Sequence, residues 1–208
     1  MDDQTTYLNY APAADRNKAP IWSVLNNYLK DNDHVLEVGS GSGQHALYFC
    51  SQNPTLKWQC ADQQDYEVPL KMNLEALNPG GFTSPIVLDV QNKRHVERIK
   101  NLKDLDVVYT ANTLHIMNWD ACLSFFSMVG SVLRVGGRYC IYGPFLYEDR
   151  TTTESNLQFN EWLRQRNAGS AIRSFEDVVR VLNGLGFELL SDTDMPANNQ
   201  LLVFQKQR

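Results

Sequence analysis

The chain has 208 residues, 43% of them hydrophobic and 21% charged, which suits one packed domain and excludes a collagenous, low-complexity or wholly disordered polypeptide. Nineteen Lys and Arg against 24 Asp and Glu leave a net charge of −5, so the overall basic footprint that accompanies nucleic-acid binding is missing. The first 20 residues hold no apolar run behind a basic start, and no stretch approaches the roughly 18 apolar residues of a membrane span. The expectation is a cytoplasmic protein with no membrane association. Cys50, Cys60, Cys122 and Cys140 form no CxxC pair, and His34, His45, His95 and His115 are scattered, so zinc-ligand spacing is lacking and no metal is expected. Free thiols follow, with Cys60 and Cys140 as small core residues inside apolar runs.

In chain order, Asp15 to Lys30 carries Ile21, Val24, Leu25, Tyr28 and Leu29 at helical spacing, with Asn17 as N-cap and Pro20 in the first turn. HVLEVGSGSGQHALYFC reads as a strand, a glycine turn and a helix. LKWQCADQ is a second strand, and Glu67 to Leu77 a second helix of this series. PIVLDV is a third strand, followed by a polar helix around Asn92 to Lys100. LDVVYTANTLHI is the fourth strand with its exit loop, and Asp120 caps the helix after it. Gly136-Gly137 stops that helix, and RYCIYGPF makes the fifth strand. Helices at Ser155–Arg166 and Ser174–Leu185 show capping boxes completed by Gln158 and Asp177. FELLSD and LLVFQK then form a hairpin across TDMPANNQ.

This alternation predicts an α/β, Rossmann-like three-layer sandwich. Its seven-stranded, mostly parallel sheet has one antiparallel strand and helices on both faces. Right-handed crossovers place the loops after the strands on one edge, where such sheets bind ligands. One domain spans 1–208, with a helical cap at 1–31, a cofactor-binding half at 32–145, and lid helices plus hairpin at 146–208.

Gly39, Gly41 and Gly43 sit where a strand turns into a helix, and a helix N-terminus offers N–H groups to an anion. A P-loop needs Gly-Lys-Ser/Thr, but Gln44 and His45 follow Gly43. The dinucleotide fingerprint needs its third glycine where Gln44 stands. EVGSGSG instead resembles the E/D-x-G-x-G-x-G signature of class I S-adenosylmethionine-dependent methyltransferases, and LRVGGRYCIYGPF resembles the segment that introduces their fifth strand. APAADRNKAPI, EVGSGSGQHALYF, NTLHIMNW, YGPF, ESNLQFN and MPANN together resemble an uncharacterised methyltransferase-like family known as a domain of unknown function, from Tyr10 to Phe204. The turn WQCADQQD departs mildly from that pattern, which expects more Pro and Ser before the acid.

The resemblance implies S-adenosylmethionine as cofactor and S-adenosylhomocysteine as product. Glu37 would lie beside the methionine portion, which the backbone of Gly39, Ser40, Gly41 and Gly43 would cradle. Asp62 follows Gly39 by 23 residues, near the spacing of about 20 at which an acid meets ribose hydroxyls. Asp89 would approach the adenine, Asn112 the methionine end or substrate, and Arg16 and Asn17 would fold over the cofactor. His115 is the candidate general base, because NTLHI leaves the fourth strand towards the methyl donor; a packed core histidine is the alternative. Tyr142, Phe145, Asn156, Asn198 and Asn199 are candidates for the substrate pocket, against core packing for the aromatics and turn or capping roles for the asparagines.

The leading function is methyl transfer to a small molecule, with catalysis mainly by positioning. A Pro-Cys nucleophile and the Asn-x-Pro-aromatic motif of amino-directed enzymes are both missing after the fourth strand, which argues against a nucleic-acid acceptor. A non-catalytic cofactor-binding sensor or partner module, and a NAD(P)-dependent oxidoreductase, stay open as alternatives.

Overall fold

A computed structural model describes residues 7–78, 81–102 and 105–208; residues 1–6 of the expected cap lie outside them. Helix α1 (Pro12–Leu25) runs into a single 3-10 turn and leads to β1 (His34–Val38). Then come α2 (Gln44–Gln52), β2 (Lys57–Asp62), α3 (Gln64–Leu77), β3 (Ile86–Val87), α4 (Lys93–Lys100), β4 (Leu105–Ala111) and α5 (Trp119–Val132). Next are β5 (Leu133–Gly143), β6 (Phe145–Leu146), α6 (Glu154–Arg166), β7 (Arg173–Ser174) and α7 (Phe175–Gly184). The hairpin β8 (Phe187–Met195) and β9 (Asn199–Lys206) completes the described chain.

Seven strands form one sheet in the order β3-β2-β1-β4-β5-β9-β8, and all neighbours are parallel except β9, which runs against both β5 and β8. The order reverses between β1 and β4, the switch point at which such sheets open a crevice. Strand alternation sorts the core into two layers. Val35, Val107, Tyr109, Cys140 and Tyr142 pack with Ile21 and Leu25 of α1, Phe49 of α2 and Leu70 of α3. Leu36, Val108, Tyr139 and Ile141 face α5 and α7 through Phe125, Phe126, Val178 and Leu182. The four cysteines are unpaired, and Cys60 and Cys140 sit in the core. Among the described residues no helix is long and apolar enough to cross a membrane.

Several local expectations are corrected. Helix α1 starts at Pro12, where the missing N–H is harmless, so Pro20 falls inside the helix and Asn17 is a buried interior residue, not a cap. The third strand shrinks to two residues: Leu88 and Val90 are buried, but past Val87 the chain turns through Asp89 and Gln91. Asn118, not Asp120, caps α5 by accepting from Ala121 N, and Thr153, not Ser155, caps α6 by accepting from Asn156 N. Each cap lies two residues before the expected one, because Ser, Thr, Asp and Asn throughout a first turn carry the same signal. Gly136-Gly137 does not end α5. The chain turns extended at Leu133, and the glycines form an irregularity between the Leu105–Leu133 and Val107–Arg138 pairs of β4 and β5. Ser174 caps α7 as expected. The β8 strand continues to Met195, so the hairpin connection is the short Pro196–Asn198 turn.

Candidate functional site

The glycine loop leaves β1 at the switch point. Gly39 has φ +80°, and a Cβ there would stand 2.5 Å from Thr113 Oγ1, so only glycine lets the loop press against the exit of β4. Gly39 N and Ser40 N both donate to Ala61 O, which ties the turn to β2. Asp62 closes it: one carboxylate oxygen accepts from Gly41 N at 2.6 Å and the other from Gln63 N at 2.7 Å. Gly41 also has positive φ, yet a Cβ there would meet no protein atom within 4 Å, so its outer side is an open cradle. Gln44, at the start of α2, is 2% exposed. Its Oε1 accepts from Ala11 N and Ser42 Oγ, while its buried Nε2 has no partner among the described residues. Asn73 of α3 adds a second stitch by donating to Ser42 O and pairing with both backbone groups of Leu8.

Beneath this loop lies a buried polar box. Glu37 shares a strand face with Val35 and is 1% exposed. Trp58 Nε1 donates to its Oε2 at 3.0 Å, and His45 Nδ1 stands 3.8 Å from its Oε1. His45 Nε2 lies 2.7 Å from Asn17 Oδ1, which assigns the ring proton to Nε2 and links α1 to α2. Burial pushes the Glu37 carboxyl up to about 7 against the Trp58 and Ser40 hydrogen bonds that favour its charge. Burial, helped by Lys18, brings His45 down to about 4. Near neutral pH His45 is therefore neutral while Glu37 titrates, so the two do not form an ion pair.

Asp89 is exposed in the loop after β3, where its Oδ1 accepts from Gln91 N and its own N–H donates to His95 Nδ1. The three strand-end acids thus hold three different stations: under the loop, at its rim and in the neighbouring loop. Burial raises the pKa of Asp62 against its two backbone donors. Arg16 is exposed on α1.

At the exit of β4, Asn112 adopts φ +56° and donates its N–H to Tyr142 O. His115 follows, 6% exposed, its ring edge-on to Phe159 at 5.3 Å. Burial and then Arg173 lower its pKa to about 4. Arg173 clamps this turn by donating to the carbonyls of Leu114, Met117 and Gly169.

Beyond β5 a cavity of about 360 Å³ opens between the segment after β5, α6 and the β8–β9 turn. Phe145, Arg150, Asn156, Asp194, Asn198 and Asn199 are on its wall. Of the residues named for a substrate pocket, Phe145, Asn156, Asn198 and Asn199 line this cavity and Tyr142 and His115 do not. Tyr142 points to the opposite face of β5, into the α1 layer, where Asn17 hydrogen-bonds it. Sequence reasoning missed Gln44, His45, Trp58, Asn73 and Arg173. The signal for three of them was polarity at positions of an amphipathic helix facing the core.

The strand order, with its switch between β1 and β4 and a single antiparallel strand, gives the chain a Rossmann-like fold shared with the methyltransferase structures below. The chain belongs to the family described as "Protein of unknown function (DUF938)", which matches residues 8–206. Similar solved structures include an O-methyltransferase family protein from Burkholderia thailandensis, 15% identical with a TM-score of 0.74 over 94% of this chain and 60% of that one. The mitomycin 7-O-methyltransferase MmcR is 14% identical, with a TM-score of 0.74 over 92% of this chain and 54% of that one. PigF, solved with SAH, is 16% identical with a TM-score of 0.74 over 92% of this chain and 56% of that one. This chain thus spans three-fifths or less of those lengths, and at such identities the likeness is one of fold.

Proposed function

We propose that the protein is an S-adenosylmethionine-dependent methyltransferase acting on a small molecule. The observation that carries this reading is the open side of Gly41 beside Asp62 and the unpartnered Nε2 of Gln44. That combination offers backbone approach, a carboxylate for hydroxyls and a spare buried donor at one turn. These residues fit the cofactor. Gly39, Ser40, Gly41 and Gly43 would supply the cradle, Asp62 the ribose contact, Asp89 the adenine side, and Asn112 and Arg16 the methionine end. When bound, S-adenosylmethionine supplies an electrophilic methyl group.

Glu37 and Asn17 support that site from below through Trp58 and His45, so their part is positioning. His115, with its pKa near 4, is neutral at neutral pH and a weak base. Holding the reactants in line then carries most of the rate, for which about 7–11 kcal/mol is the accessible scale. The acceptor would enter from the cavity beyond β5.

Calorimetry with S-adenosylmethionine, NAD and NADP tests this directly. Binding of the methyl donor alone is expected, and Asp62→Ala should weaken it about 10- to 100-fold, the equivalent of about 1.5–3 kcal/mol for a charged hydrogen-bonding group. Tight nicotinamide binding without donor binding overturns the reading. Incubation with methyl-labelled donor and a metabolite extract should then label a small molecule; donor binding with no transfer to any acceptor would leave a binding module instead.

A further inference from the structure

We propose that the cavity beyond β5 recognises a cationic, amine-bearing small molecule, with Asp194 as the group that takes the ammonium. Its role as methyl acceptor rests on the proposed transferase activity; the ligand's chemistry does not.

The charges come first. Arg150 faces two carboxylates, with Nη2 3.5 Å from Asp192 and Nη1 3.7 Å from Asp194, so the cluster keeps one negative charge in excess. Asp192 is the well-held member, since Tyr147 OH donates to both its oxygens at 2.9 Å and its side chain is 15% exposed. Arg150 lies over the Tyr147 ring at 4.1 Å, so it has a seat independent of Asp194. Asp194 is the loosely held member. Its side chain is 88% exposed, and its one hydrogen bond to a side chain comes from Gln200 Nε2 at 2.9 Å. An ammonium can therefore replace Arg150 at Asp194 while Arg150 keeps Tyr147 and Asp192.

The uncharged lining points the same way. Gln200 lines the cavity, is 9% exposed, and its buried Oε1 has no partner among the described residues. Its amide nitrogen is already committed to Asp194. The same holds for the neighbouring amides: Asn156 Nδ2 donates to Asn198 O, Asn198 Nδ2 to Ser155 Oγ, and Asn199 Nδ2 to the Pro196 and Ala197 carbonyls. Asn199 spends both its N–H groups in this way and Asn156, Asn198 and Gln200 spend one each, so fewer amide donors than carbonyl acceptors remain for a ligand. A wall with more acceptors than donors, whose one cation is shared with Asp192 behind it, favours N–H and O–H donors over carboxylates and phosphates.

The test follows the side-chain amide signals of Asn156, Asn198 and Gln200 in nitrogen-correlated NMR spectra of the full chain, titrated separately with putrescine, inositol and citrate. Putrescine should shift them saturably and more tightly than inositol, and citrate should leave them unmoved. Asp194→Arg, on an exposed side chain, should weaken putrescine at least tenfold, with Asp194→Asn intermediate. Preference for citrate, no movement with putrescine, or unchanged putrescine affinity in Asp194→Arg each overturns the proposal. Donor binding measured on the same sample separates the two readings. Putrescine binding without S-adenosylmethionine binding sinks the transferase reading alone, and the reverse sinks the ligand class alone.

Discussion

On the glycine-loop side of the sheet, polar groups other than Gln44 Nε2 are largely spent on the protein itself. Asp62 holds Gly41 and Gln63, Asn73 holds Ser42 and Leu8, and His45 holds Asn17. On the β5–β9 side, the cavity wall keeps a long Arg150–Asp194 contact and an orphan Gln200 oxygen. The first side is preorganised, so little ordering remains to be done when something binds there; the second is held by contacts that a ligand can exchange. A fixed cofactor loop beside an exchangeable acceptor wall lets one scaffold keep its donor while acceptors differ.

The strongest way to break this contrast is Glu37→Gln. The carboxyl's folded pKa, about 7, lies above its ordinary 4.5, so its contribution to stability is complete below 4.5 and is lost as pH rises through 7. The loss amounts to about 3 kcal/mol at pH 8. Glu37→Gln should therefore be more stable than the parent at pH 8 by about that amount, the gap closing towards pH 5 in urea titrations. His45 has the opposite sign: its folded pKa, about 4, lies below 6.5, so its contribution is present above 6.5 and lost as pH falls through 4. In the variant, stability should rise with pH across that window. A gap independent of pH would show that Glu37 is not the group that titrates.

Next in size is a pair of loop substitutions. Gly39→Ala forces a Cβ against Thr113 at positive φ and should cost about 2–3 kcal/mol of stability. Gly41→Ala meets no protein atom and should cost only about 1 kcal/mol, while it weakens S-adenosylmethionine markedly. Equal stability losses, or an unaffected donor affinity in Gly41→Ala, would mean the open side of Gly41 is not the cradle. The smallest effect is expected for His115→Asn, with turnover within a few-fold of the parent and no inflection of the rate near pH 6.5. A drop of several hundred-fold would make His115 a true base.

Much of this was legible in the sequence wherever the signal was local. An apolar run followed by closely spaced glycines fixes β1, the loop and α2 as neighbours in the chain, and the distance to Asp62 follows from one β-α-β unit. Contacts across the chain were not legible. Nothing near Asn17 indicates that its partner is His45, so a helix cap was the natural reading of an Asn before a Pro. Glu37 reads as a ligand contact from its place before the glycines, and nothing in the chain beside it shows that Trp58, one strand away, also holds it. Tyr142 and Phe145 look alike as residues leaving β5, but Tyr142 stays in β5 facing the α1 layer while Phe145, past Pro144, belongs to β6 and lines the cavity. Leu88 and Val90 show how apolar residues can be buried past the end of a strand, Leu88 N still donating to Asp62 O of β2.

The antiparallel strand has a kinetic side. Within the sheet β8 touches only β9, and β9 reaches the other strands only through β5, pairing Arg138 with Gln205 across 67 residues of chain. The hairpin must therefore dock as a unit onto a five-strand sheet whose β5 edge is bare until then. Closing so long a loop makes that step slow, and a bare edge invites pairing with another molecule. Asn198, Asn199 and Gln200 arrive with the same hairpin, so the acceptor wall comes into existence only when the sheet is finished.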